Sequence, residues 1–272
     1  MDRLTIFWIL MAVSTLLFVA GLGANLSIWL TGRTGPATPR SKIAKFWSLV
    51  RVSAQAVFSR RFGFIVKAVV LDGLLHQALF RENKPRWLAH TLLALGFLFL
   101  FALSTFTGFF EEVLHLMFKV ETPFVLAVVN KDTPVMALLN EVLGIPLILG
   151  LAFIIVRRYI AKPSQLRTAG ADTSILVLLG VGLLTAYPTE ALRFLMESTP
   201  ASLGGISFIG YPLAQAMKPL ALQWAQWHFA MFFIHVVPFM ILLVYMPFSK
   251  FFHVLVSPIV AAVNSLREEA AG

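Results

Sequence analysis

Five long apolar runs constrain this 272-residue chain more than any other feature of its sequence. Each run approaches or exceeds the roughly 20 residues that an α-helix needs to cross about 30 Å of hydrocarbon. Only helices or closed barrels satisfy the backbone in lipid, and runs this continuously apolar are not barrel strands. The sequence therefore predicts an all-α integral membrane protein. It predicts one five-transmembrane-helix bundle over 1–272, with spans at about 4–30, 87–110, 135–156, 174–195 and 221–248.

Composition excludes several other classes of protein. Hydrophobic residues make up 58% of the chain and charged residues only 13%, against about 45–50% and about 25% in soluble domains. A soluble enzyme and a disordered protein are both excluded on this ground. The chain has no cysteine. It therefore cannot form a disulfide, a zinc–thiolate site or a cysteine-ligated iron–sulfur cluster of its own.

The basic residues predict an orientation. If the N-terminus lies outside, 17 of the 22 lysines and arginines fall on the inner side, which agrees with the positive-inside rule. The C-terminus is then cytoplasmic. The inner segment 31–86 is predicted to be basic and interfacial, with an amphipathic helical region. Within it, 62–80 is apolar but contains Lys67 and Asp72, so it is expected at the interface or packed against the bundle. This inner face suits an acidic lipid surface or a soluble partner.

Histidines inside membrane spans indicate a cofactor or proton site. His235 and His253 are eighteen residues apart, five helical turns and about 27 Å if the helix is continuous. His228 precedes His235 by two turns. His90 begins the second run at the inner end, and His115 follows it near the outer end. Antiparallel packing would bring His90 and His253 to one depth, as the two axial ligands of a b-type haem iron require.

The stretch from His235 to His253 also resembles a known family. It is similar to the last span of the respiratory nitrate reductase gamma subunits, a family that includes the membrane cytochrome b subunits of heterodisulfide reductase. In that pattern the two histidines are eighteen residues apart, and Pro-Phe-Ser-Arg/Lys precedes the second, as Pro247–Lys250 does here. Stretches similar to the entries of the family's other spans are 166–176 with 182–185, and 86–90.

The resemblance implies a prokaryotic cytoplasmic membrane and two b haems stacked across it. It also implies quinol chemistry near the outer haem, with menaquinone as the expected quinone, and an iron–sulfur partner subunit on the cytoplasmic side. His90 and His253 match the two ligands of the inner haem, and His235 matches one ligand of the outer haem.

One position departs from the nitrate reductase pattern. Leu100 stands where that pattern has the second histidine of the outer haem, and leucine cannot ligate iron. Three alternatives follow: the outer haem is absent, it is five-coordinate on His235, or it uses His115 or His228.

These observations predict a membrane cytochrome b subunit of a respiratory oxidoreductase complex. It would transfer electrons between quinone or quinol and an iron–sulfur partner, and no nucleic acid partner is expected. Quinol oxidation releases protons, so acceptors are needed near a surface. Glu111, Glu112 and His115 are the candidates, with Glu190 and Arg193 weaker ones. The alternatives are a proton-coupled transporter and a haem-free membrane anchor, and bound haem distinguishes the first interpretation from both.

Overall fold

The computed structural model describes residues 3–32, 41–60, 62–163 and 170–271. The regular secondary structure in these ranges is helical throughout. Five helical segments are long and apolar enough to cross a membrane, which confirms the number of spans and indicates a membrane protein. They are Arg3–Trp29, Lys84–Met117, Pro123–Ala161, Asp172–Glu197 and Trp224–Phe248.

Twelve α-helices are defined within the described ranges. They are α1 (Arg3–Trp29), α2 (Lys42–Val57), α3 (Phe62–Ala68), α4 (Gln77–Glu82), α5 (Lys84–Gly108), α6 (Pro123–Val129), α7 (Pro134–Ile155), α8 (Gly170–Glu197), α9 (Ala201–Gly204), α10 (Gly210–Met217), α11 (Trp224–Tyr245) and α12 (His253–Ala271). Three of them continue as π-helices: α3 over Val69–Leu74, α5 over Phe109–Met117 and α7 over Val156–Ala161.

The chain divides into two compact units, one of Met1–Asn83 with Met240–Gly272 and one of Lys84–Phe239. In the first unit, α1 contacts the 3₁₀ turn Met246–Phe248. A Cβ at Gly21 would lie 2.9 Å from Pro247, and Asn25 Nδ2 donates to the Pro247 carbonyl at 2.8 Å. Small and polar side chains on α1 thus fix the end of the fifth apolar run.

The segment 62–80 packs against α12 in the same unit. The π-helix that follows α3 brings Gly73 onto Pro258, where an added Cβ would lie 3.0 Å from the Pro258 Cα. The segment was expected either at the membrane interface or packed against the bundle. The structure shows it packed against α12.

In the second unit, glycines let α5 and α7 approach closely. A Cβ at Gly96 would lie 2.7 Å from the Leu147 backbone nitrogen, and one at Gly150 would lie 2.5 Å from that of Leu93. Small residues at such contacts are the usual way for membrane helices to gain packing energy. Ion pairs join the ends of the helices: Arg158 to Asp172 at 3.2 Å, and Arg193 to Asp132 at 2.7 Å.

Two interruptions differ from the expected continuous helices. The fifth run does not continue as one helix to His253: α11 ends at Tyr245, and Ser249 is extended, with φ −124° and ψ 171°. Pro247, which has no N–H, interrupts the helical hydrogen bonds here, so counting five turns from His235 to His253 is wrong. The π-helix after α5 likewise changes the angle between His90 and His115, because i→i+5 bonding turns less per residue.

Candidate functional site

His235 lies in α11 with its ring orientation fixed by a backbone group. Its Nδ1 is 2.7 Å from the carbonyl oxygen of Gly182 in α8. A carbonyl only accepts, so Nδ1 carries the hydrogen and donates it. The neutral ring then has its lone pair on Nε2. This is the tautomer of metal-binding histidines that donate their other nitrogen to a carbonyl.

Gly182 makes this contact possible because it has no side chain. A Cβ at this position would lie 2.6 Å from the ring of Phe239. Phe239 in turn packs edge-on against His235, with ring centroids 5.5 Å apart and an interplanar angle of 76°. One residue of α8 therefore admits the Phe239 ring and supplies the acceptor for His235.

His253 begins α12 in the first unit and has the same tautomer. Its Nδ1 donates to the Lys250 carbonyl at 2.6 Å, and the residue is exposed. It lines an open cavity of about 580 Å³, together with Trp29, Phe252 and His76. The Trp29 and Phe252 rings are 5.6 Å apart. An imidazole with Nε2 as its lone-pair nitrogen thus lies beside an aromatic cavity.

His76 lies in this cavity too, although no pattern in the sequence pointed to it as a site residue. Its backbone is left-handed, with φ 49° and ψ 54°, which is uncommon for a residue other than glycine. Its Nδ1 donates to the Leu74 carbonyl at 2.9 Å. Asp72 of the preceding π-helix lines the same cavity. The fold of 62–80 therefore brings two further polar side chains to His253.

His90 and His228 are further candidate ligands and lie, like His235, in the second unit. His90 is partly buried in α5, whereas His253 belongs to the first unit. Their pairing therefore stays a prediction. His228 is only 5% exposed and contacts Phe232, with ring centroids 6.4 Å apart. It precedes His235 by two turns of α11, about 10.5 Å along the helix.

The three quinone-site candidates lie together on the π-helix that follows α5. Glu111 and Glu112 are in its first turn and His115 in its last. Among the described residues the buried Nδ1 of His115 has no hydrogen-bond partner. Glu111 lies 3.8 Å from Lys131 in an exposed ion pair. π-Helices often occur at functional sites, and a buried nitrogen without a partner needs a ligand or a water to satisfy it.

Sequence reasoning missed a buried carboxylate on the third span. Glu141 is 0% exposed and accepts the backbone N–H groups of Ile209 at 3.1 Å and Gly210 at 2.8 Å. The Tyr187 hydroxyl donates to the backbone carbonyl oxygen of Glu141 at 2.9 Å. The signal was present, because a carboxylate inside an apolar run is expensive and needs partners. Glu141 fixes the start of α10.

The weaker candidates Glu190 and Arg193 also have structural partners. Glu190 accepts the Ser207 hydroxyl at 3.1 Å. Arg193 forms ion pairs with Asp132 at 2.7 Å and with Glu197 at 2.8 Å. These contacts account for both side chains as links between the end of α8 and neighbouring segments.

Comparison with known proteins finds relatives that are similar to this chain over most of its length. The chain is 25% identical to one subunit of dihydromethanophenazine:CoB–CoM heterodisulfide reductase from Methanosarcina mazei, over 94% of this chain and 91% of that protein. The corresponding subunits from Methanosarcina acetivorans and Methanosarcina thermophila are 26% and 24% identical, over 94% of this chain and 90% of each. The chain is therefore similar to these heterodisulfide reductase subunits along most of its length.

The similarity to the heterodisulfide reductase subunits confirms the resemblance that the histidine spacing and Pro247–Lys250 indicated. It extends over 94% of this chain and 90–91% of each of the three relatives. No model of a protein family matches the chain, and no solved structure matches it.

The described residues contain no group of three or more histidine, aspartate or glutamate side chains that could hold a metal ion. A zinc site of the usual kind needs three or four such ligands. A haem iron takes at most two axial ligands from the protein, so single histidines from separate helices are sufficient for it.

Proposed function

We propose that this chain is a membrane cytochrome b subunit of a respiratory oxidoreductase complex. It would carry electrons between membrane quinone or quinol and an iron–sulfur partner subunit on the cytoplasmic side. The observation that carries this proposal is the tautomer of His235, whose Nδ1 donates to Gly182 inside an apolar helix and leaves Nε2 for a ligand. The relatives, named as subunits of a heterodisulfide reductase, support the class of complex.

The donor set fits b-type haem. His235 would hold one iron and His253 another, each through Nε2, since both donate Nδ1 to a backbone carbonyl. His90 is the proposed second ligand of the iron at His253. Haem, when bound, gains and loses single electrons at a potential set by its ligands and surroundings. The protein's part is to fix these rings and to exclude water from them.

Helix geometry limits which residue could hold the second haem together with His235. Leu100 provides no donor, and His228 lies on the same helix as His235, about two turns away. Two imidazoles so placed lie on one side of the same helix, so they could not hold one haem between them. We therefore propose that His235, alone or with His115, would hold the second haem, and that His228 would not.

The quinone site is proposed at the π-helix after α5. Oxidation of a quinol releases two electrons and two protons, and the protons need acceptors. Glu111, Glu112 and His115 would accept them at the outer end of the second span. The buried, unpartnered Nδ1 of His115 supports this position. The relatives' name pairs dihydromethanophenazine with the CoB–CoM heterodisulfide, and for this chain we propose a quinone as the lipid-soluble carrier.

A reduced-minus-oxidised visible spectrum of the purified chain, with extracted haem counted per polypeptide, tests the proposal. Two haems per chain would support both iron sites. One haem would support a single iron site, which the substitutions below would assign to His253 or to His235. No haem in protein made with ample haem supply would overturn the proposal and favour a transporter or a haem-free anchor.

Single substitutions then assign the ligands. We expect His253→Ala to remove the low-spin haem signal of the first site, and His235→Ala to remove the signal of the second haem. Ile234→Ala is a matched control, because Ile234 neighbours His235 on α11 and is 48% exposed. An unchanged spectrum in either histidine variant would exclude that residue as a ligand.

A further inference from the structure

The helix α2, which follows the first span, carries a row of exposed apolar side chains. No contact among the described residues buries them. Ile43 is 71% exposed, Trp47 62% and Phe58, just beyond the helix end, 90%; Val50 lies between them and is also exposed. Their spacing of four, three and eight residues places them on one side of a helix. Side chains of this kind exposed together mark a surface that is covered in the functional protein.

The opposite side of α2 is tied to the end of the first span. Lys45 Nζ donates to the carbonyls of Leu30 at 3.0 Å and Gly32 at 2.7 Å. Lys42 Nζ donates to the Ser27 hydroxyl at 2.8 Å. Lys45 lies about 160° around the helix from Trp47. These bonds satisfy carbonyls at the end of α1 and hold α2 at the level where that span leaves the membrane.

The charge of this region has one sign. Residues 31–71 contain eight lysines and arginines and no aspartate or glutamate. Arg51 is exposed and lies about 40° around the helix from Trp47, beside the apolar row. Arg60 follows the helix and is exposed as well. A basic, apolar and aromatic helix at a span end has the features of an interfacial membrane helix.

We infer that α2 is an anionic-lipid-binding helix. The row of Ile43, Trp47, Val50 and Phe58 enters the boundary between headgroups and acyl chains, and Arg51 and Arg60 contact anionic headgroups. Lipid is favoured over a protein partner for two reasons. The lysine bonds hold the row at the level of the membrane surface, and the segment lacks the mixed charges with which protein interfaces set their register. This inference does not depend on haem or quinone.

The absence of native cysteine allows a direct test. The full-length chain carrying Trp47→Cys or Val50→Cys is labelled with an environment-sensitive fluorophore and reconstituted into phosphatidylcholine vesicles, with or without phosphatidylglycerol. Gln55→Cys is the matched control, since Gln55 is exposed on the same helix about 80° from Trp47. We expect nitroxide-labelled lipid to quench the probe at 47 and 50, and aqueous iodide to quench it at 55.

Charge variants test the role of the headgroups. Each arginine near an anionic surface adds about 1 kcal/mol, roughly fivefold in the ratio of membrane-bound to dissociated helix. We therefore expect Arg51→Gln with Arg60→Gln to weaken the response to phosphatidylglycerol strongly, and Lys218→Gln, a distant exposed lysine, to leave it unchanged.

Three results would overturn the inference. A probe at 47 and 50 that iodide reaches in both kinds of vesicle would show that the row does not enter lipid. Protection from iodide only when partner subunits are added would make the row a protein-docking surface. Quenching that is equal with and without phosphatidylglycerol would exclude binding of anionic headgroups. An unchanged haem spectrum in the charge variants would separate any such failure from failure of the proposed function.

Discussion

At the scale of single residues, the histidines differ in what their second nitrogen contacts. His235 and His253 donate Nδ1 to backbone carbonyls, whereas the buried Nδ1 of His115 has no such partner among the described residues. A ring fixed in this way presents one nitrogen at a defined position, which suits a metal. An imidazole whose Nδ1 has no such contact can accept a proton from a bound ligand there. His235 and His253 therefore share a feature of metal-binding histidines that His115 lacks.

This difference predicts the behaviour of His115→Ala. We expect unchanged haem content and a loss of about 100-fold or more in quinol-driven haem reduction, because a positioned proton acceptor contributes about that factor. The measurement is stopped-flow reduction by a quinol, with dithionite reduction as a reference. Lys119→Ala, an exposed change at the same end, is the control. Loss of a haem signal instead would make His115 an iron ligand.

Glu141 supports a prediction about stability. Glu141→Ala would leave the N–H groups of Ile209 and Gly210 without their acceptor. Each unsatisfied buried donor costs about 1–3 kcal/mol, so we expect a clear fall in the thermal unfolding temperature in detergent. Glu141→Gln keeps an acceptor for only one of the two N–H groups, so we expect it to lose less stability than Glu141→Ala but still to unfold at a lower temperature than the native protein. Equal losses for the two variants would contradict the role of the carboxylate as an acceptor.

At the scale of elements, glycines set how closely the helices approach. We expect Gly182→Ala to destabilise the protein by about 1–3 kcal/mol, the usual cost of overpacking, since its Cβ would lie 2.6 Å from Phe239. It should also disturb the spectrum assigned to His235, whose acceptor is the Gly182 carbonyl. Gly180→Ala is the matched control two residues away, where the nearest atom is 3.8 Å from the added Cβ. Similar effects of both changes on unfolding and spectrum would refute this explanation.

The sequence predicted the spans well and their interruptions poorly. Hydropathy averages over a window, so it located five apolar spans but not all of their ends: the second and third extend to Lys84–Met117 and Pro123–Ala161. The same averaging hid Glu141, whose single charge is outweighed by its apolar neighbours. Counting 100° per residue assumes an unbroken α-helix, so it failed at Ser249 and at Phe109–Met117. The left-handed backbone of His76 has no local sequence signal such as a glycine, so the sequence did not predict it.

At the scale of the whole molecule, the two loop regions that follow the first and fourth spans test the orientation. Ser41 and Ser202 are both exposed and lie on opposite sides in the predicted topology. In intact cells, we expect a membrane-impermeant maleimide to label Ser202→Cys at once and Ser41→Cys only after permeabilisation. Serine to cysteine is nearly isosteric, and the chain has no other thiol to react. The reverse pattern would place the N-terminus in the cytoplasm and the basic segments outside.

The π-helix Phe109–Met117 has a consequence for how such chains diverge. Losing one residue from a π-helical turn restores α-helical bonding there. The side chains of that turn then change their angular positions, while the helix on either side keeps its phase. A relative that lacks one residue here would point its counterpart of His115 in a different direction while keeping every span intact. A one-residue gap at this point of an alignment would therefore mark a rearrangement of the proposed quinone site, even where overall similarity is unchanged.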